Sequence, residues 1–173
     1  MDFWRVIEQR HSVRAFDSRT NVSDKDIHRM IEAAIQAPSA GNCQPWHFIV
    51  VRDRRIREAL ADAAYGQEFV AQAPVVFAVC AEPARSASRY GKRGVELYCL
   101  QDTAAAIEHI LLAATSLGLG ACWVGAFDEK RAAKALDLPL QLRPVGLVPV
   151  GKPAAETSRE TTRRALTDVV TYR

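Results

Sequence analysis

The chain has 173 residues, 49% of them hydrophobic and 25% charged, which is the make-up of one soluble globular domain large enough to bury a core without staples. Its 23 basic residues stand against 20 acidic ones, so the net charge of +3 describes a near balance, and nucleic-acid binding is not implied. No apolar run approaches the roughly 18 residues of a membrane span, and the N-terminus lacks a signal-peptide core. Cys43, Cys80, Cys99 and Cys122 lie far apart with no C-x-x-C pair, a pattern that predicts reduced thiols in a cytoplasmic protein.

Asp2 predicts an N-cap for a short helix carrying Phe3, Val6 and Ile7 on one face and running out near Arg10. The next residues, Q-R-H-S-V-R from Gln9 to Arg14, read either as a solvated basic surface or as an anion site, since arginine forks match phosphate oxygens. Ser23 and Asp26 predict a capped helix start. Behind them Ile27, Met30, Ile31, Ala34 and Ile35 form one apolar stripe that ends before Pro38.

The stretch from Ala37 to Phe48, A-P-S-A-G-N-C-Q-P-W-H-F, joins that helix to a strand over His47–Val51. It reads as a plain turn or as a loop suited to gripping a flat ligand. A charged amphipathic helix over Arg54–Ala64, a helical turn over Gln67–Ala73 and a strand over Val75–Ala81 buried on both faces follow. Glu82–Gly94 is polar, basic and Gly-bearing, and reads either as a flexible excursion over a ligand or partner or as a plain solvated loop. Val95–Leu117 predicts a long helix with little polar face, central in the fold or buried against a second copy, with Gly118 at its C′ position.

A short strand is expected over Ala121–Val124, a helix capped by Asp128 through Leu136, and a last strand over Val145–Val150 whose Pro149 points to an edge or strand end. The tail beyond Gly151 is polar and finishes in a small apolar patch around Leu166, Val169, Val170 and Tyr172. No repeat divides the chain, so residues 1–173 read as a single domain, with 152–173 an extension expected to pack on a partner copy.

The chemistry is defined partly by what is missing. G-L-G-A-C-W lacks the third glycine and the following helix of a dinucleotide fingerprint, and there is no P-loop, H-E-x-x-H or G-x-S-x-G. Cys43 beside His47 reads more readily as structure than as nucleophile and base, and His28 and His109 have no metal-ligand spacing. An anion-suited cluster, an aromatic polar loop and a Gly-containing strand end suit an enzyme whose reactivity resides in a bound organic cofactor.

With Q-R-H-S-V-R, A-P-S-A-G-N-C-Q-P-W-H and G-L-G-A-C-W-V-G-A-F in this order, the chain resembles the FMN-dependent nitroreductase family from about Phe3 to Lys152, with a weaker echo at Arg163–Val170. The resemblance implies an α+β fold with a central, mostly antiparallel sheet flanked by helices, in an intertwined homodimer with FMN at the interface. It implies that Arg10, His11 and Ser12 bind the phosphate and ribityl chain, and that Arg14 lies near the pyrimidine edge. Arg163 matches the family's late phosphate-binding arginine. Pro38, Ser39, Ala40 and Asn42 would cover the flavin of the other subunit, Gln67 would be a further contact, and Gly125 and Ala126 would face the hydride-accepting N5.

The activity so implied is ping-pong transfer from NADH or NADPH to a nitroaromatic, quinone or similar small acceptor, with no nucleic-acid or membrane partner. A flavin-fragmenting or dehalogenating relative, or a flavin-binding redox sensor without turnover, remain alternatives. Two departures stand out: His11 replaces the second arginine of the common R-R-S pattern, and Gly125 stands where some relatives carry a side chain.

Overall fold

The computed structural model describes residues 2–154 and 161–173. Four strands, β1 (Trp46–Val51), β2 (Val75–Ala81), β3 (Gly120–Ala121) and β4 (Arg143–Gly151), form one sheet in the order β1-β2-β4-β3. Every neighbouring pair is antiparallel. The expected α+β architecture with a mostly antiparallel sheet is therefore found.

Side-chain alternation along β2 divides the core. Val75, Phe77 and Val79 point to one face, where they meet Met30 of α2 (Asp24–Ile35) and Ile107 and Ile110 of α6 (Cys99–Ser116). Val76 and Ala78 point to the other face, against Leu60 of α3 (Arg54–Ala63) and Ala132 of α7 (Glu129–Ala135). All of β2 is buried, as its unbroken apolar run predicts. Burial of each large side chain here contributes about 1.5 to 3 kcal/mol, so the two-sided sheet is the main source of stability.

Local chemistry sets the element ends. Asp2 caps α1 (Phe3–Gln9) by accepting the Arg5 N–H, and Ser23 caps α2 by accepting the Asp26 N–H. Asp128 does the same for α7 through Arg131. Gly118, with φ of 73°, ends α6 while its N–H reaches Thr115 O and the Leu119 N–H reaches Ala114 O. The short α4 (Phe69–Gln72) ends ahead of Pro74.

Two sequence expectations are corrected. Glu82–Gly94 is a helix, α5 (Pro83–Arg93), not an excursion: Pro83 occupies its first turn, Ser86 is buried, and Gly91 takes a positive φ of 52° that kinks it into a π-helical turn (Gly94–Tyr98). Pro149 lies within β4, which is paired on both sides. Its carbonyl accepts the Cys122 N–H, so its missing donor faces β3 and leaves the β2 ladder intact. The lost reciprocal bond also explains why β3 stops at Ala121 rather than running to Val124; pairing resumes only where Val124 and Leu147 exchange both hydrogen bonds.

α6 is central, with Ala106, Ile107, Ile110 and Ala114 fully buried. In the tail, Leu166, Val169, Val170 and Tyr172 are exposed on the single chain. The part of the expected extension at 155–160 lies outside the described residues.

Candidate functional site

α1 ends at Arg10, and the chain then runs beside β3: Ser12 bridges Ala121 in parallel, and the Val13 N–H donates to Ala121 O at 2.9 Å. Close packing holds this join, because a Cβ on Gly120 would lie 2.7 Å from Val13 Cγ2. Arg10 and His11 thereby line a groove of about 900 Å³ whose other walls include Ile7, Gly118, Leu119, Thr162 and Arg163. Arg10, His11 and Arg163 thus line one groove, a grouping suited to an anion, with Arg163 Nη1 donating to Thr161 O, Thr161 Oγ1 and Thr162 O. His11 Nδ1 lies 2.8 Å from Gln9 O and donates to it, which leaves Nε2 free to face the groove region.

Ser12 and Arg14 are exposed, and both act on Cys122 behind them. Burial pushes the Cys122 thiol up, while the Arg14 charge and a Ser12 hydrogen bond oppose that shift. The thiol stays protonated and serves as packing under the cluster.

Four residues past Ala121 lies the second group. Gly125 and Ala126 are exposed, and among the described residues neither N–H is used in a hydrogen bond. An added Cβ at Gly125 would meet nothing nearer than Trp123 Nε1, at 4.0 Å, so a flat ligand can approach the backbone. Gln67 is fixed beside them, its Nε2 donating to Ala64 O at 2.9 Å and Ala126 O at 3.1 Å.

Pro38, Ser39, Ala40 and Asn42 form a third group, apart from the groove. Ala40 and Asn42 belong to a 3₁₀ turn (Ala40–Asn42) that Pro38 and Ser39 precede, and Ser39 Oγ accepts the Gln44 N–H across it at 3.0 Å. Within one chain, then, Arg10, His11 and Arg163 line the groove while Ser12 and Arg14 lie outside its lining, Gln67 joins Gly125 and Ala126, and the Pro38–Asn42 turn does not line the groove.

The model of the nitroreductase family matches residues 7–71 and 63–152, most of the chain and all three groups except Arg163. The chain belongs to the nitroreductase family. It is 38% identical, over 88% of its length and 86% of the relative's, to a protein of Archaeoglobus fulgidus named as a candidate NADH dehydrogenase/NAD(P)H nitroreductase. It is 24% identical to the oxygen-insensitive NADPH nitroreductase of Helicobacter pylori, over 97% and 95% of the two chains. Among solved structures, the nitroreductase family protein of Clostridium novyi superposes with a TM-score of 0.81 at 36% identity, covering 92% of this chain and 89% of that one.

In this nitroreductase-family chain the sequence reading missed the residues that hold the Pro38–Asn42 turn. Asp102 Oδ1 accepts the Ala40 N–H at 3.1 Å, and Arg85 and Arg89 of α5 donate to Cys43 O and Gly41 O, each at 3.0 Å. These pairs are 42 to 62 residues apart in the chain, and the only local signal was the density of arginines after Glu82. No group of three or more His, Cys, Asp or Glu suited to a metal occurs among the described residues.

Proposed function

We propose that the protein is an FMN-dependent NAD(P)H oxidoreductase that works as a homodimer. The observation that carries this reading is that one short join, Ser12–Val13 against Ala121, holds the cationic groove and the open Gly125–Ala126 backbone at the two ends of a single stretch. Such a stretch suits a ligand with an anionic tail and a flat ring edge. When bound, FMN would supply two-electron transfer from NADH or NADPH to a nitroaromatic, quinone or similar acceptor, in ping-pong order.

The chain's own residues would bind and orient. Arg10, His11, Ser12 and Arg163 would hold the phosphate and ribityl chain, where charge-assisted hydrogen bonds to phosphate are strong. Arg14 would place a positive charge near the pyrimidine edge, favouring negative charge there. The N–H groups of Gly125 and Ala126, kept in place by Gln67, would face the reacting edge of the ring. No side-chain nucleophile is required.

Pro38, Ser39, Ala40 and Asn42 would cover the cofactor of the second copy, which accounts for their separation from the groove on one chain. Phe3, Trp4, Ile7 and Val95, together with the tail's Leu166 and Tyr172, are large apolar residues left exposed on the single chain, a surface that a second copy would cover. The four free thiols suit a cytoplasmic location. Loading the purified protein with FMN and titrating with each nucleotide tests the reading; a protein that takes up no FMN contradicts it.

A further inference from the structure

The turn at the head of β1 has an unusual backbone. Gly41, Asn42 and Gln44 all have positive φ, at 55°, 54° and 49°, so three of four consecutive residues occupy the left-handed region, two of them with side chains. A free loop of this shape would relax, so something outside the turn must hold it.

Two helices do so. From α5, Arg89 Nη1 donates to Gly41 O and Arg85 Nε to Cys43 O, each at 3.0 Å. The fit is close: a Cβ on Gly41 would stand 2.5 Å from Tyr90 Oη and 2.8 Å from Arg89 Cδ. From α6, Asp102 accepts the Ala40 N–H, while its second oxygen is buried with no partner among the described residues. Asp102 is only 7% exposed, and a buried carboxyl with one hydrogen bond among the described residues, that bond to the turn, is a costly group that core packing alone would not select.

α5 is itself braced. Tyr90 stacks edge-on against Tyr98 at 5.0 Å, and Arg93 donates to Tyr98 Oη at 2.9 Å, across the π-helical turn that leads into α6. A Cβ on Gly94 would lie 2.4 Å from Ser86 O, so α5 is folded tightly onto the start of that turn.

We infer that Arg85, Arg89 and Asp102 are positioning residues that lock the Ser39–Gln44 turn in the conformation with which it covers the cofactor. This rests on the reading of that turn as a cofactor cover. The three act through the turn's backbone, not by touching cofactor or substrate themselves. In this chain the segment after Glu82 is therefore a clamp on the cover.

The test uses the full chain, first without flavin. Backbone amide exchange should rise at least tenfold at Ala40, Asn42 and Gln44 in Arg85→Ala/Arg89→Ala, while β2 amides stay protected, which shows that the fold is kept. Asp102→Leu should free the Ala40 amide, and Asp102→Asn, which keeps an acceptor oxygen, should restore its protection. FMN binding is then measured by fluorescence quenching, and the double arginine variant should bind at least fivefold more weakly. Unchanged exchange in the turn overturns the clamp. Faster exchange with unchanged FMN affinity overturns the positioning role by removing the cover reading on which it depends, and leaves the fastening itself as fact. Equal loss of protection in Asp102→Asn and Asp102→Leu removes Asp102 from the set.

Discussion

Arg10 illustrates how a residue becomes meaningful only through its neighbours. In the sequence it was one cation in a basic run that a solvated surface explains equally well; in the structure it faces the same groove as His11 and Arg163. Removing one charge-assisted contact to phosphate costs about 1 to 3 kcal/mol. Arg10→Ala should therefore weaken FMN binding by that amount without altering the thermal transition of the flavin-free protein, as a fluorescence titration with a parallel melt would show. Asp102, Arg85 and Arg89 were illegible at this scale. Their partners are backbone groups dozens of residues away, and no spacing rule links a buried helical Asp to a distant amide.

Among the elements, α1, α2, α3, α7, β1 and β2 were readable because a cap, an amphipathic stripe or a run of bulky apolar residues marked each within its own residues. α5 was not. Its arginines, Gly91 and the Gly94 that follows suggest a loop locally, and what makes it helical is Pro83 at its start together with the burial of Ser86 and the packing under Gly94. β4 misled for a related reason, since Pro149 is an edge signal unless the missing N–H happens to face a strand that ends there.

Contact between elements also gives a pH prediction. Arg143 of β4 grips Glu129 of α7 through two hydrogen bonds, at 2.8 and 2.9 Å, and holds its carboxyl below the usual 4.5. A carboxyl lowered in the folded state adds stability that is present above 4.5 and is lost as pH falls through the folded value. The Tm difference between the parent and Glu129→Gln should accordingly be largest near neutral pH and shrink below 4.5. A difference that grows in acid contradicts the assignment.

For the whole molecule, the sheet and its two helical layers follow from one domain's worth of apolar patterning, and membership of the nitroreductase family agrees with them. Among the described residues, none of Pro38, Ser39, Ala40 and Asn42 lines the groove, and on the proposed reading they complete the site of a second copy. On that reading cofactor binding is tied to association. Light scattering should give twice 19.1 kDa for the FMN-loaded protein, and dilution that yields monomer should release flavin in parallel. A monomer that retains FMN at full affinity would separate the two.

Anaerobic stopped-flow mixing of the FMN-loaded protein with NADH and, separately, NADPH tests whether the bound flavin accepts hydride from a nicotinamide. At least one nucleotide should bleach the visible flavin absorbance, with colour restored when a nitroaromatic or quinone acceptor is added after the nucleotide is removed. Flavin that stays bound and oxidised with both nucleotides would contradict the proposed function.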